Sequence, residues 1–384
     1  MSTLLTERVR AQLAGLAVGG LDVPTFSASA LEALNRAVPF SAACFATADP
    51  ATGLVTSTVK TAISDHHDDE WAHFEYVVPD PTAFLDVSRR PGRVVGLRSE
   101  TGGRTELSPR FTDFIQRHWD FGDEMRAALT VDGRTWGFIA LFRERGRGFS
   151  PTEQEFLSGM GSSLATGLRG GLLAAAAGPA VAVDGPAVLV LDREGEIASA
   201  SVGAAAQVAE LGGGPLGESP LPLALLSLVG AARRVVADGR PSTPRVRLRA
   251  RSGTWMVAHA SPLLSRDGSV GDVVLTIEEA RPPEIVPIVV AAFGLTPREQ
   301  SVVQLVLQGA DTSAIAATLH LSAYTVQDHL KSIFAKVGVR SRRELTAKVY
   351  FDQYAPRFGQ QVGPAGWFTD PAAPAVPAPR TPRG

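Results

Sequence analysis

FGLTPREQSVVQLVLQGADTSAIAATLHLSAYTVQDHLKSIFAKVGVRSRRELTAKVY (293–350) is the stretch that decides the architecture. Thr296-Pro297-Arg298-Glu299 is a capping box with proline at the first helical position. The helix it opens carries Val302, Val303, Leu305 and Val306 on its inner side, and Gly309 ends it. Asp311 is placed to cap a short second helix carrying Ile315, Ala316 and Leu319. His320-Leu321-Ser322 is a tight connection, and Ser322 is an N-cap for a third helix with Val326, Leu330, Ile333, Phe334 and Val337 inward. Gly338 stops that helix, and Ser341-Arg342-Arg343-Glu344 opens a fourth. Two short helices with a brief turn, the second exposing polar groups near its start, make a helix-turn-helix.

The polar side of the third helix has a chemistry of its own. Gln327, Asp328 and Lys331 lie opposite Val326, Leu330 and Ile333. A face of this kind at the start of such a helix enters the major groove, where Gln pairs with adenine, Lys donates to guanine and Asp accepts from cytosine. Thr325, Lys336, Arg340, Arg342 and Arg343 suit phosphate contacts. Charge supports this end of the chain. The 384 residues carry a net charge of -2, yet 285–350 hold 7 basic and 4 acidic residues, against 17 and 21 in 1–170 and 10 and 12 in 171–284. Three of the four lysines, Lys331, Lys336 and Lys348, fall in this module.

The segment closely resembles the LuxR-type helix-turn-helix family. The matching residues are Leu295-Thr296-Pro297-Arg298-Glu299, Gly309, Ile315-Ala316, Leu319, Leu321-Ser322, Thr325-Val326, His329-Leu330, Ile333, Lys336 and Val339. The resemblance implies sequence-specific binding of double-stranded DNA and control of transcription, with RNA polymerase a candidate partner. Tyr324 stands where family members often carry lysine, and Asp328 where they carry a neutral or basic residue. A single module buries a small interface, so a homodimer reading two half-sites is expected. Leu345, Val349 and Tyr350 of the fourth helix are the candidate dimer contact, on physical grounds and by the resemblance.

Working outward, residues 1–21 read as an N-terminal helix and 22–172 as an α+β unit. Asp49-Pro50-Ala51-Thr52-Gly53 is a turn between two strands, and Asp132-Gly133 is the tip of a hairpin. Phe156, Met160, Leu164, Leu168 and Leu172 form an i, i+4 row, most simply a face packed on its own domain and alternatively a dimer seam. Trp136-Gly137-Phe138-Ile139-Ala140-Leu141-Phe142, followed by Phe149-Ser150-Pro151-Thr152-Glu153 and a closing helix, resembles a GAF domain. Residues 173–185 read as a linker, and 186–281 as a second α+β unit that is similar to a PAS domain in strand order. Pro282, Pro283 and Pro287 punctuate a second linker, 282–292, and the Pro/Ala-rich tail 351–384 is expected to be disordered. The fold class is therefore multidomain: two α+β sensor units, then an all-α four-helix LuxR-type module and a tail. Both sensor resemblances imply a sheet that cups a small-molecule effector or binds a partner.

Other classes are excluded or set aside. One cysteine, Cys44, rules out a disulfide framework and a thiol zinc knuckle, and it reads as a buried small hydrophobe in a strand. No signal peptide or membrane span is expected, so the localisation read from sequence is cytoplasmic with no membrane partner. There is no receiver acidic cluster, no Walker glycine loop and no defensible Ser/His/Asp arrangement, so no enzyme activity and no cofactor are expected. His66, Glu70 and His73 share one face of an expected 65–77 helix, a spacing that could hold a divalent metal. The acidic run Asp68-Asp69-Glu70 suits a solvated face instead, and no metal site is assigned. An interaction-only regulator that never touches DNA is the alternative reading of the whole chain.

Overall fold

The computed structural model describes residues 3–64, 66–146, 148–174, 185–237, 243–264, 270–354, 361–362 and 368–369. The chain begins with α1 (Thr3–Ala17) and α2 (Val23–Ala37), then β1 (Ala42–Ala48) and β2 (Val55–Thr61). α3 (Asp68–Tyr76), α4 (Phe84–Arg89), β3 (Val94–Gly96) and α5 (Leu97–Glu100) follow. A π-helical turn (Arg110–Ile115) leads into the short α6 (Gln116–His118), then β4 (Phe121–Val131), β5 (Arg134–Glu144) and α7 (Pro151–Ala174). The strands form one antiparallel sheet, β2-β1-β5-β4-β3. Asp132 and Gly133 both adopt positive φ at the β4–β5 turn, the geometry whose twist matches an antiparallel hairpin.

α1, α2 and α7 cover one face of this sheet. Val9, Leu13, Phe26, Leu34, Phe156, Met160, Leu164 and Leu168 are buried together there. The N-terminal helix is thus part of this core rather than an appendage, and the α7 row is an internal face rather than a dimer seam. Gly167 lies where an added Cβ would fall 2.0 Å from the Phe26 ring, so only glycine lets α7 pass α2 this closely.

The second sheet is built from β6 (Ala187–Leu191), β7 (Ile197–Ala200), β8 (Arg245–Arg249), β9 (Trp255–Leu264) and β10 (Val270–Glu279), in the order β7-β6-β10-β9-β8. α8 (Ala204–Glu210) and α9 (Leu223–Ala237) lie between β7 and β8 in the chain. α9 has two duties. Leu225, Leu228 and Ala232 are buried against the second sheet, while Gly230 lets the helix approach Tyr76 and Ala72 of α3. The two sheet units are also joined by a buried ion pair: Arg247 Nε of β8 donates to Asp49 Oδ2 at 3.0 Å, Nη2 to Oδ1 at 3.2 Å, and the Arg247 backbone N–H to Oδ2 at 2.9 Å. Asp49 therefore forms the predicted turn and also clamps the neighbouring unit.

The expected 282–292 linker is a helix, α10 (Pro282–Ala292). Pro282 and Pro283 sit in its first turn, where a missing N–H leaves no bond unmade. The run that follows is apolar on every side, as a helix enclosed on both faces must be. Ile285, Ile288, Val289 and Ala292 join the core containing α7, Trp255 and Val257, whereas Val286, Val290 and Phe293 pack into the C-terminal helices. Those helices are α11 (Pro297–Leu307), α12 (Thr312–Leu319), α13 (Ala323–Val337) and α14 (Arg342–Tyr354). Within the tail expected to be disordered, α14 runs on to Tyr354, and β11 (Gln361–Val362) pairs with β12 (Phe368–Thr369). Most of the 173–185 linker, residues 265–269 between β9 and β10, and the rest of the tail lie outside the described residues.

Candidate nucleic-acid interface

Each helix of the C-terminal module starts where the sequence places a cap. Thr296 Oγ1 accepts from Glu299 N at 3.3 Å, and Thr296 N donates to Glu299 Oε2 at 2.7 Å. Asp311 Oδ1 accepts from Ala314 N at 2.8 Å, and Ser322 Oγ accepts from Thr325 N at 3.0 Å. His320 takes a left-handed φ of 53°, which turns the chain sharply between α12 and α13. Val302, Val303, Ile315, Val326, Leu330 and Ile333 close the core behind α13.

This packing leaves one ridge of α13 in solvent. Gln327, Asp328 and Lys331 are all exposed, and Tyr324, one turn earlier, is 75% exposed. Lys331 Nζ is 3.6 Å from Asp328 Oδ1, an exposed i, i+3 pair that partly offsets the carboxylate on this ridge. Gln327 Nε2 donates to Thr312 Oγ1 at 3.2 Å, a link between α13 and α12 that its side chain must release to reach a base. The four side chains share one accessible face, broad enough to lie along a groove.

The phosphate candidates divide into two groups. Arg340 and Arg343 are exposed beyond the end of α13. Arg342 is held: Nη1 donates to Ala310 O at 2.7 Å and Nη2 to Thr312 Oγ1 at 2.8 Å, fixing the start of α12 against α14. Lys336 is also held, 2.6 Å from Glu299 Oε2, while Ser332 Oγ donates to Glu299 Oε1 at 2.6 Å. Thr325 Oγ1 shares a 2.8 Å hydrogen bond with Ser322 Oγ at the cap. Burial would raise the Glu299 carboxyl, but Lys336, Ser332 and Thr296 together pull it down to about 2. Glu299 is thus an anionic pin between α11 and α13. The sequence marked it as a cap only, since its partners on α13 are 33 and 37 residues away.

The candidate dimer contacts point elsewhere than expected. Leu345 and Val349 are buried in the module core, at 0% and 1% exposure, because α14 uses them to pack on its own chain. A second copy meeting α14 would touch other residues. The Tyr350 side chain lies outside the described residues.

Residues 294–349 match the family described as bacterial regulatory proteins, luxR family. The C-terminal module is a LuxR-type helix-turn-helix. A helix-turn-helix-type transcriptional regulator of Aeromonas salmonicida is 49% identical over 51 residues, which cover 13% of this chain and 26% of that protein. The monoamine regulon transcriptional regulator of Klebsiella aerogenes is 41% identical over 56 residues, 15% of this chain and 25% of that protein. The chain thus spans about a quarter of the length of these relatives, over stretches no longer than the LuxR-type module. Among solved structures, the VqmA dimer of Vibrio cholerae aligns with 45% of this chain and 85% of its own, at 17% identity and a TM-score of 0.21. That superposition is too loose to extend the likeness upstream.

Upstream, the first sheet unit contains a feature the sequence reading missed. Arg110 and Arg126 are each 1% exposed and are neutralised by Glu75, Asp80 and Glu124. Arg126 Nη2 donates to Glu75 Oε2 at 2.6 Å, and its guanidinium stacks 3.5 Å from the Phe84 ring centroid. Burial raises the Glu75 carboxyl against the pull of Arg126 and Arg110. For Asp80, Arg110 and the Ser108 and Thr82 hydroxyls outweigh burial and hold the carboxyl low. Arg110, Glu124 and Arg126 floor a cavity of about 40 Å³, walled by Cys44, Phe84, Phe114, Trp71, Trp119 and His67. That volume admits a few water molecules, so an organic ligand requires the walls to part. Burial pushes the Cys44 thiol up to about 12, leaving it protonated and unreactive. Trp136 and Trp255 are core residues, whereas Trp71 and Trp119 face the cavity. The sequence sign of the network was Glu124 and Arg126, i and i+2 and so on one face of a buried strand.

No helix among the described residues is long and apolar enough to cross a membrane.

Proposed function

We propose that the chain is a sequence-specific, DNA-binding transcription regulator of the cytoplasm, acting as a homodimer on DNA. α13 enters the major groove with Tyr324, Gln327, Asp328 and Lys331 toward base edges, and Arg340 and Arg343 take phosphates. The observation that carries this reading is the α13 ridge itself. Its polar side chains are exposed to solvent, while Val326, Leu330 and Ile333 fix the helix from behind.

The two sheet units, GAF-like and then PAS-like, receive a small-molecule or protein signal in this proposal. α10 supports a coupling route, because one of its faces is part of the upstream core and the other part of the LuxR-type module. An effector that favours one packing of the upstream units would shift the population of module orientations through this shared helix. RNA polymerase is the natural further partner of a DNA-bound activator.

Selection of bound sites from random duplex DNA with the full chain, followed by mobility shift at several salt concentrations, tests the reading. A recovered motif with two half-sites about one helical turn apart supports it. Asp328 favours the interaction-only alternative, since a carboxylate on the ridge opposes phosphates. Absence of salt-dependent binding to any DNA would establish that alternative.

A further inference from the structure

We infer that His67, Glu70 and His118 form a binding site for a first-row divalent transition metal, with zinc the natural probe. Three ligand atoms, one from each residue, lie within 4.8 Å of one another. Two elements bring them together. His67 is the N-cap residue of α3 and makes no side-chain cap bond, and Glu70 follows in the first turn. His118 closes α6, 48 residues further on.

The sequence suggested a different set. The expected row His66, Glu70 and His73 needs a helix through residue 66, but α3 begins at Asp68. His66 then precedes the helix, and the residue from outside it is His118, which no local spacing could have named.

The donor chemistry suits a borderline ion. Two imidazoles and one carboxylate form a set that leaves coordination positions open to solvent. Glu70 and His118 side chains are 26% and 18% exposed, so an ion can enter. His118 Nε2 is 2.7 Å from Glu70 Oε2, and Arg117 Nη1 is 3.3 Å from Glu70 Oε1. The arginine occupies one carboxylate oxygen and leaves the other for the metal. The His67 and His118 rings stack with centroids 3.7 Å apart and planes 22° from parallel. Bonds of about 2.0–2.2 Å place tetrahedral donors roughly 3.4 Å apart. The His118–Glu70 contact therefore opens slightly, while separations bounded by 4.8 Å close by at most about 1.4 Å, within reach of side-chain rotation.

The position gives the site a consequence. His67 is also a wall of the sheet cavity, and it stands edge-on to Trp119, another wall, at 5.6 Å between ring centroids. A bound ion would clip α3 to α6 and hold that wall shut or shaped.

The test uses the untagged full chain, stripped with chelator and titrated with ZnCl2 by calorimetry and with Co2+ by visible absorption. One equivalent of zinc per chain is expected, with Co2+ ligand-field bands of a low-coordinate site. X-ray absorption on the wild-type zinc form should show two imidazoles in a nitrogen/oxygen shell, a readout that needs no variant. His67→Gln and His118→Gln should each weaken zinc at least about 100-fold, since even outer-shell changes cost 10–100-fold. The double variant His66→Gln/His73→Gln should bind as wild type. Zinc binding no stronger than in a His67→Gln/Glu70→Gln/His118→Gln variant overturns the site. So does loss in His66→Gln/His73→Gln with retention in His118→Gln.

Discussion

Replacing Glu299 by Gln tests whether the α11–α13 pin sets the recognition helix. Gln keeps the shape but brings an amide N–H₂ toward Lys336 and the Thr296 N–H, two groups that need an acceptor. The magnitude follows from the carboxyl. Its value falls from 4.5 to about 2 on folding, and at 1.36 kcal/mol per unit this caps the stabilisation near 3 kcal/mol. Lys336 is 36% exposed and can regain water when unpaired, which lowers the expected loss to about 2 kcal/mol. The sign is fixed by the downward shift. The contribution is complete above pH 4.5 and vanishes as pH falls to about 2. Several folding units make a single unfolding curve ambiguous, so the assay is local: hydrogen exchange of α11 and α13 peptides from pH 7 to pH 2.5. The gap between wild type and Glu299→Gln should be about 2 kcal/mol at neutral pH and close progressively below pH 4.5. A gap that is constant with pH, or under about 0.5 kcal/mol at neutrality, refutes the pin, since ordinary surface changes stay within that size.

Lys331→Ala should relax base preference at one position in each half-site and cost about 1–3 kcal/mol for the preferred site only, read by binding to a mutated-site panel. Asp328→Asn should raise affinity for non-specific DNA and weaken any cytosine preference; unchanged affinity across salt would show that Asp328 faces away from the duplex. Asp49→Asn leaves Arg247 buried without its anion and should weaken the junction between the sheet units by about 3–5 kcal/mol. Calorimetry should then show separate transitions for the two units, and coincident ones would remove the clamp.

What the sequence revealed depended on how local the cause was. Caps, glycine stops and apolar spacing act within one helix, so Thr296, Asp311, Ser322 and Gly338 were readable, and α11–α13 fall where they indicate. The Asp132-Gly133 hairpin was readable for the same reason. The errors came where the cause was distant. The three prolines of 282–292 suggested a linker, yet the apolar run after them is the stronger signal once two cores are available to bury it. Leu345 and Val349 looked like a free apolar stripe until the core that takes them was visible. Asp49–Arg247 joins residues 198 apart, and no spacing rule relates such positions.

The division of the cations into held and free sets makes the salt dependence of DNA binding a measure of the structure. Each phosphate neutralised contributes about 0.9 to the slope of log affinity against log salt. Lys336 and Arg342 are already committed, one to the Glu299 carboxylate and the other to Ala310 O and Thr312 Oγ1. Moving either onto a phosphate would break the bonds that orient α12 and α13. Arg340 and Arg343 remain on the surface and supply two neutralised phosphates per module, while Lys331 is partly offset by Asp328 and turned to base edges. A dimer should therefore show a slope of about −4, whereas engagement of Lys336 and Arg342 as well would give about −7. The variants separate the two cases. Arg343→Ala should flatten the slope by about one per module with the fold intact. Arg342→Ala should lower affinity with the slope unchanged, and should increase exchange at the start of α12. A flattened slope with unchanged α12 protection in Arg342→Ala would show that this guanidinium leaves Ala310 and Thr312 for the phosphate, and the held set would lose that member.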